Sequence, residues 1–390
     1  MTYDFKSITN RRQTNSIKWQ IGESELPMWI ADMDFKTAPE IIEALHQKIE
    51  LGIFGYEAPN SEYFEAVSHW YQSEHHTTSK TDWLLFTTGV IPALSAIIRQ
   101  VSHVGDNIVV QTPVYNMFFN SIENNGRHVV TNELIYQPET GNYKLDFTDL
   151  ESKLADPLTT MMILCNPHNP IGKVWTKDDL RQIATLCQEH HVILVSDEIH
   201  GDLVLNGPDY TPLFALAADF SNTITLVSPS KTFNIAAIHA ATVIVPDQIL
   251  RQQVARGLNI TGLAKPNLLA IPGTIAAYTQ GHEWLKELKQ QLRKNQNTVQ
   301  EFITQNLPQI TITPTKATYL LWLDCRQITN NSQQLAEFIR QETGLILNAG
   351  DIYRGNGHDF LRMNIACPPS LLQDGLKRFR QGIQDFQNQA

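Results

Sequence analysis

The sequence predicts an α/β protein: a large domain built on a mostly parallel central sheet flanked by helices, beside a smaller α+β domain. Three observations lead there. Residues 161–165, 192–196, 223–227 and 242–245 are short, largely apolar runs, broken only by Ser196, Thr223, Thr225 and Thr242. A strand that is apolar at successive positions has both faces covered, as in a sheet packed between helices; a half-exposed strand would alternate. Helix-length segments separate these runs, the clearest being 177–190, with Thr176 as its expected cap. After about residue 280 the texture changes to a long polar-faced helix and short strands, which marks a second unit. At 390 residues the chain has room for two or three domains, at about 150 residues each.

Taken in order, Pro39 opens a helical pattern carrying Ile41, Ile42, Leu45 and Ile49, which Gly52 closes. Ser61 is the expected cap of a second helix with Phe64, Val67 and Trp70 on one face. A strand at 83–86 precedes a helix at 92–101, and a strand at 107–110 precedes a helix at 114–124. Beyond the four central runs come a helix at 283–306, strands near 310–313 and 318–323, then helix, strand and a closing helix from Pro369. The expected division is an arm, 1–48, that contributes to the small domain, a large domain, 49–282, and a small domain, 283–390.

Composition narrows the function classes. With 42% hydrophobic and 18% charged residues and seven Trp, the chain is not of the disordered class. Thirty Lys and Arg against 40 Asp and Glu give a net charge of −10, which argues against a nucleic-acid surface. The first residues are polar and charged, and no 18-residue apolar run occurs, so neither a secretory leader nor a membrane span is expected. The four cysteines, 165, 187, 325 and 367, have neither zinc nor disulfide spacing, which fits a reducing cytoplasm. The pairs His75-His76 and His190-His191 lack the spacing of a metal site and are expected at the solvated surface.

In an open α/β sheet, ligands bind beyond the carboxyl ends of the strands, so the informative residues follow the apolar runs. After 161–165 comes Asn166-Pro167-His168-Asn169-Pro170-Ile171-Gly172; after 192–196, Asp197-Glu198-Ile199-His200; after 223–227, Ser228-Pro229-Ser230-Lys231. Thr88-Gly89-Val90 follows the first strand and leads into a helix. An amide, an acid with a histidine, a lysine between hydroxyls and a glycine turn thus meet on one edge. Such a set suits an aromatic cofactor bearing an aldehyde and a phosphate. Lys231 would form a Schiff base with the aldehyde. Asp197 would hold a pyridine nitrogen protonated and make the ring an electron sink. The Gly89 and Val90 N–H groups at a helix start, with the Ser228 and Ser230 hydroxyls, would hold the phosphate. Asn169 and His200 are placed for a ring oxygen, and Tyr115 for the ring face. The gap from Asp197 to Lys231 matches one strand–helix–strand unit, which puts the two on nearby strands.

These motifs, with Ser230-Lys231-Thr232-Phe233-Asn234, resemble the fold type I pyridoxal-phosphate enzymes of the class I/II aminotransferase superfamily. The likeness is closest to the MalY/PatB-type cystathionine β-lyases, or carbon–sulfur lyases. It runs nearly end to end, through Leu26-Pro27-Met28-Trp29-Ile30-Ala31-Asp32-Met33-Asp34-Phe35, Gly52-Ile53-Phe54-Gly55-Tyr56, Thr318-Tyr319-Leu320-Leu321-Trp322 and Arg362-Met363-Asn364-Ile365-Ala366-Cys367-Pro368. The resemblance implies pyridoxal 5′-phosphate as cofactor and Lys231 as the Schiff-base lysine. It pairs Asp197 with the pyridine nitrogen, Asn169 and His200 with the ring oxygen, and Tyr115 with the ring. It also implies a homodimer with shared active sites, in which Tyr56 reaches the phosphate of the neighbouring subunit. Arg362 would grip the substrate α-carboxylate, for which a planar guanidinium is the natural partner. The implied reaction is α,β-elimination from L-cystathionine or a related cysteine S-conjugate, giving a thiol, pyruvate and ammonia. The alternatives are an aminotransferase on the same fold, or a regulatory protein with incidental lyase activity. Four features depart from the family pattern, one of them Ile235-Ala236-Ala237-Ile238-His239, where a glycine usually follows the lysine. Thr88 stands where it usually has proline, and His239 where ordinary aminotransferases carry an arginine eight residues after the lysine. The closing motif reads Cys367-Pro368-Pro369-Ser370 where Cys-Pro-Arg is usual.

Overall fold

The computed structural model describes residues 3–389. Its centre is a seven-stranded sheet in the order Leu84–Thr87, Ala241–Ile244, Thr223–Val227, Ile193–Asp197, Thr159–Cys165, Asn107–Thr112, His128–Glu133. From Thr223–Val227 to His128–Glu133 every neighbouring pair is parallel. Ala241–Ile244 runs antiparallel to both its neighbours. The sheet is therefore mixed at one side. A reversed strand can be reached by a loop, whereas a parallel one needs a crossover. Residues 228–240, which carry Lys231, are that loop.

The largely apolar runs are explained by two cores, one on each face. Met161, Ile163, Val195, Ile224 and Leu226 pack with helices Val90–Val101 and Gln248–Ile260. Met162, Leu164 and Leu194 point the other way, against helices Phe147–Leu154 and Lys177–Glu189. Successive side chains on a strand alternate faces, so a strand covered on both sides is apolar throughout.

Thr176 caps Lys177–Glu189 as expected, in a reciprocal box with Asp179. The second helix, Ser61–His75, corrects the reading of its start. The cap is Asn60, whose side chain accepts the Tyr63 N–H at 3.1 Å, and Ser61 is the first helical residue. Asn and Ser cap about equally well, so neighbouring candidates are separated only by which takes the extended backbone, and here it is Asn60. The helix expected at 114–124 is confined to Met117–Glu123, which leaves Tyr115 in the turn beyond the strand end. The helices Gln248–Ile260 and Ala270–Gln280 and the edge strand His128–Glu133 were not anticipated.

The C-terminal part begins with helix His282–Asn306. It holds a four-stranded antiparallel sheet in the order Thr311–Ile312, Leu320–Asp324, Phe360–Asn364, Asn348–Ala349. Helices Ser332–Thr343 and Pro369–Gln389 pack against one another beside it. The N-terminal strand Leu26–Pro27 pairs in parallel with Leu345–Ile346. Among the described residues no helix is long and apolar enough to cross a membrane.

Candidate active site

The carboxyl edge of the central sheet brings the predicted residues together. Asp197 ends its strand, and Thr223–Val227 beside it leads directly into Ser228, Ser230 and Lys231. Asn169 lies in the loop after Thr159–Cys165, and Tyr115 in the turn after Asn107–Thr112. Gly89 precedes helix Val90–Val101, whose first N–H groups face this edge two strands from Ser228. Arg362 arrives from the other sheet: its Nη1 donates to Asn169 Oδ1 at 3.2 Å. Its Nη2 donates to Asn348 Oδ1 at 2.9 Å and to the Trp29 carbonyl at 2.8 Å. Beside Lys231 opens a cavity of about 640 Å³, walled largely by residues 30–37 and by Asn234, Ala236, Ala237 and His239.

The electrostatics of the cluster follow from burial. Asp197 accepts the Ile199 N–H at 3.1 Å, and burial pushes its carboxyl up to about 7 against that bond and the pull of Lys231. Burial brings the Lys231 amine down to about 8, opposed by Asp32 and Asp197 and assisted by Arg362 and Lys18. His200 falls to about 3, through burial first and then through Lys231 and Arg362. It is a neutral imidazole whose Nδ1 has no hydrogen-bond partner. Arg362 Nε is likewise buried and unpartnered. Buried polar atoms are ordinarily satisfied, so such orphans at one locus point to a missing counterpart.

A planar pyridine bearing an aldehyde and a phosphate fits these donors and acceptors by chemistry. Its ring N–H is the donor that a buried carboxylate with one backbone bond lacks, and its ring oxygen can meet His200 and Asn169. An α-amino acid carboxylate completes Arg362. On the phosphate side, the Ser228 hydroxyl has one proton and two acceptors, the Ala240 carbonyl at 2.7 Å and Ser230 Oγ at 2.8 Å. Ser228 thereby braces the turn, and Ser230 keeps its own proton free. Tyr56 stands apart from the cluster, fully exposed on a segment whose Leu51, Ile53 and Phe54 are exposed as well.

Several neighbours were not anticipated. The Ala31 carbonyl accepts from Lys231 Nζ at 2.6 Å and from the Tyr319 hydroxyl at 3.0 Å. Asn234 locks the same segment, accepting the Met33 N–H and donating to the Met33 and Phe35 carbonyls. Contacts through main-chain carbonyls leave no side-chain signal, although Tyr319 and Asn234 both lie in the quoted motifs. His75 corrects the expectation of a solvated pair: its Nε2 lies 2.7 Å from Oδ1 of the buried Asp202. A helix end that turns inward looks the same in sequence as one that turns outward. His76 and His191 are exposed, and no group of three or more His, Cys, Asp or Glu suited to a metal occurs among the described residues. Glu198, beside Asp197, is occupied by Ser196, Tyr210, Asn166 and the Leu213 N–H, a structural role.

The family model for aminotransferase class I and II matches residues 26–379. Cystathionine β-lyase PatB of Bacillus subtilis is 40% identical over 387 residues, spanning 97% of this chain and 100% of its own. Protein MalY of Escherichia coli is 35% identical over 382 residues, spanning 96% and 97%. Among solved structures, cystalysin from Treponema denticola, which contains pyridoxal 5′-phosphate, superposes with a TM-score of 0.94 at 32% identity over 99% of this chain and 100% of its own. The pyridoxal-phosphate-bound C–S lyase of Staphylococcus hominis gives 0.91 at 29% identity over 98% and 99%. Match and likeness run through both sheets and the whole carboxyl-edge cluster, and the chain belongs to the aminotransferase class I and II family.

Proposed function

We propose that this protein is a pyridoxal-phosphate-dependent carbon–sulfur β-lyase that converts L-cystathionine or a related cysteine S-conjugate to a thiol, pyruvate and ammonia. The observation that carries this reading is the convergence of Lys231, Asp197, His200, Asn169 and Arg362 on one buried edge, with His200 Nδ1 and Arg362 Nε left unpartnered there. The full-length likeness to PatB, MalY and cystalysin supports the choice of carbon–sulfur cleavage.

Pyridoxal phosphate, when bound, supplies the electron sink that makes a Cα proton acidic enough to remove. Asp197 keeps the pyridine nitrogen protonated; a cation beside it reverses the cost of its buried charge. Asn169 and His200 hold the ring oxygen, Tyr115 covers the ring, and the Gly89 and Val90 N–H groups with Ser230 hold the phosphate. Ser228 fixes Ser230. Arg362 turns its Nε and an Nη to the substrate carboxylate, which orients the Cα–H bond toward Lys231. The Lys231 amine takes that proton, the electron pair of the Cα–H bond becomes the Cα=Cβ bond, and the Cβ–S pair leaves with sulfur; one water then replaces the nitrogen of the remaining three-carbon enamine, which gives pyruvate and ammonia. Lys231 then has a proton to return to the departing thiolate.

The same reading includes a homodimer. An exposed run of Leu51, Ile53, Phe54 and Tyr56 is unusual for a free surface and suits burial against a second copy, with Tyr56 reaching that copy's phosphate site. It also keeps the division into an arm, 1–48, a large domain, 49–282, and a small domain, 283–390, an assignment supported by the pairing of Leu26–Pro27 with Leu345–Ile346. The deciding experiment supplies L-cystathionine without any keto acid. Equal amounts of thiol and pyruvate are expected; amino-group transfer that requires an added keto acid would make the protein an aminotransferase instead.

A further inference from the structure

We propose that Tyr319 is a positioning residue for Lys231, acting through the carbonyl of Ala31. The proposal rests on Lys231 being the group that removes the Cα proton.

The Ala31 oxygen is shared. Lys231 Nζ donates to it at 2.6 Å and the Tyr319 hydroxyl at 3.0 Å. A neutral amine has two N–H bonds and one lone pair. Once one N–H is fixed on a stationary acceptor, the lone pair is confined to a narrow set of directions, and it is the lone pair that must meet the Cα proton. An acceptor serves this purpose only if it cannot move, and Ala31 is held from several sides. Asn364 Nδ2 donates to the Ile30 and Asp32 carbonyls at 2.6 and 2.8 Å, and Lys18 Nζ to the Asp32 carbonyl at 2.9 Å. Asn234 accepts the Met33 N–H at 2.9 Å. What these leave open is the second lone pair of the Ala31 oxygen itself, and Tyr319 fills it.

Three distant pieces of chain meet at this atom. Ala31 belongs to the N-terminal segment, Lys231 to the loop after Thr223–Val227, and Tyr319 stands just before the strand Leu320–Asp324, which pairs with the strand of Arg362. Tyr319 is wholly buried, with its ring edge-on to His200 at 6.2 Å between centroids. Burial also drives its hydroxyl well above the usual tyrosine range, so the phenol keeps its proton as a hydrogen-bond donor and does not act as an acid. The charged and titratable groups that act on Lys231 are Asp32, Arg362, Asp197 and Lys18, and Tyr319 adds geometry to that set, not charge.

Tyr319→Phe in the holoenzyme removes one oxygen and leaves the ring. The first readout is exchange of the Cα proton of L-alanine in deuterium oxide, followed by proton NMR. This substrate has no leaving group, so the measurement reports proton removal whether or not the protein is a lyase. Exchange is expected to slow roughly ten- to a hundredfold, the size of effect a small misplacement of a catalytic group produces. Visible cofactor absorbance and melting temperature are expected to stay near wild type. With L-cystathionine, kcat is expected to fall while KM changes little, and the isotope effect of Cα-deuterated substrate to grow as proton removal becomes slower than the later steps. Wild-type exchange and an unchanged isotope effect would overturn the proposal; so would a loss of rate that tracks loss of cofactor or of melting temperature. Thiol and pyruvate missing from wild type while alanine exchange proceeds would instead count against the lyase reading alone.

Discussion

Two aspartates five residues apart, Asp197 and Asp202, are equally buried at 4% exposure and face opposite fates. Asp202 is saturated. It accepts from Trp70 Nε1 at 2.9 Å, from Thr232 Oγ1 at 2.8 Å and pairs with His75 Nε2 at 2.7 Å. Burial pushes its carboxyl up, but these partners outweigh burial and the net shift is downward. Asp197 has one backbone donor, and burial wins, to about 7. Burial alone therefore does not mark a functional acid; burial without partners does. Thr232 adjoins Lys231, so the saturated aspartate anchors the loop whose lysine the unsaturated one serves.

The contrast can be broken most severely at Lys231. Lys231→Ala is expected to lose turnover by at least a thousandfold, on the order of removing an essential acid–base group, and to lose the visible cofactor band. Activity within tenfold of wild type would remove Lys231 from the chemistry. Next is the pair of Asn variants. Asp197→Asn is expected to cut turnover by roughly a hundredfold or more while raising the melting temperature of the apoprotein, because it removes a charge that is costly to bury. Asp202→Asn is expected to lose about 3 kcal/mol of stability, as when one partner of a buried pair is deleted, measured by denaturant titration. If both variants lowered stability equally, the distinction between the two sites would fail.

The sign of the pH dependence sharpens the same comparison. The Asp197 carboxyl is raised from 3.8 to about 7, so the folded apoprotein favours its protonated form, and that contribution is lost as pH rises through about 7. Wild-type apoprotein should therefore lose stability over this window relative to Asp197→Asn, in melting curves at successive pH values. Parallel curves would show that Asp197 is not strained by burial. Arg362→Lys carries the smallest expected effect. It keeps the charge but not the planar fork, and KM should rise roughly tenfold with kcat changed less.

Much of the carboxyl edge was legible in advance because strands with both faces covered declare themselves by largely apolar runs, and the residues after them fall on a known edge. The gap from Asp197 to Lys231 located both relative to the sheet. The reversal of Ala241–Ile244 was not legible, because a short apolar run reads the same in either direction. The helix Gln248–Ile260 was overlooked although Asp247 caps it, accepting the Leu250 N–H at 2.7 Å, and Ala270–Gln280 escaped because it is buried over most of its surface and shows no polar face to set its period. Asn60 and Ser61 were indistinguishable as caps by type, and His75 gave no sign that Asp202 would receive it.

By itself the sequence determined the α/β character, the alternation that builds the sheet, and the identity and order of the residues delivered to its edge. These depend on local periodicity and on chemistry that a side chain carries wherever it goes. Only the tertiary structure decided that Arg362 would reach Asn169, that Asp202 would be satisfied while Asp197 was not, and that Ala31 would receive both Lys231 and Tyr319. Those outcomes depend on which distant segments meet and on how many hydrogen-bond partners each buried atom finds there, and neither quantity is a property of any one stretch of chain.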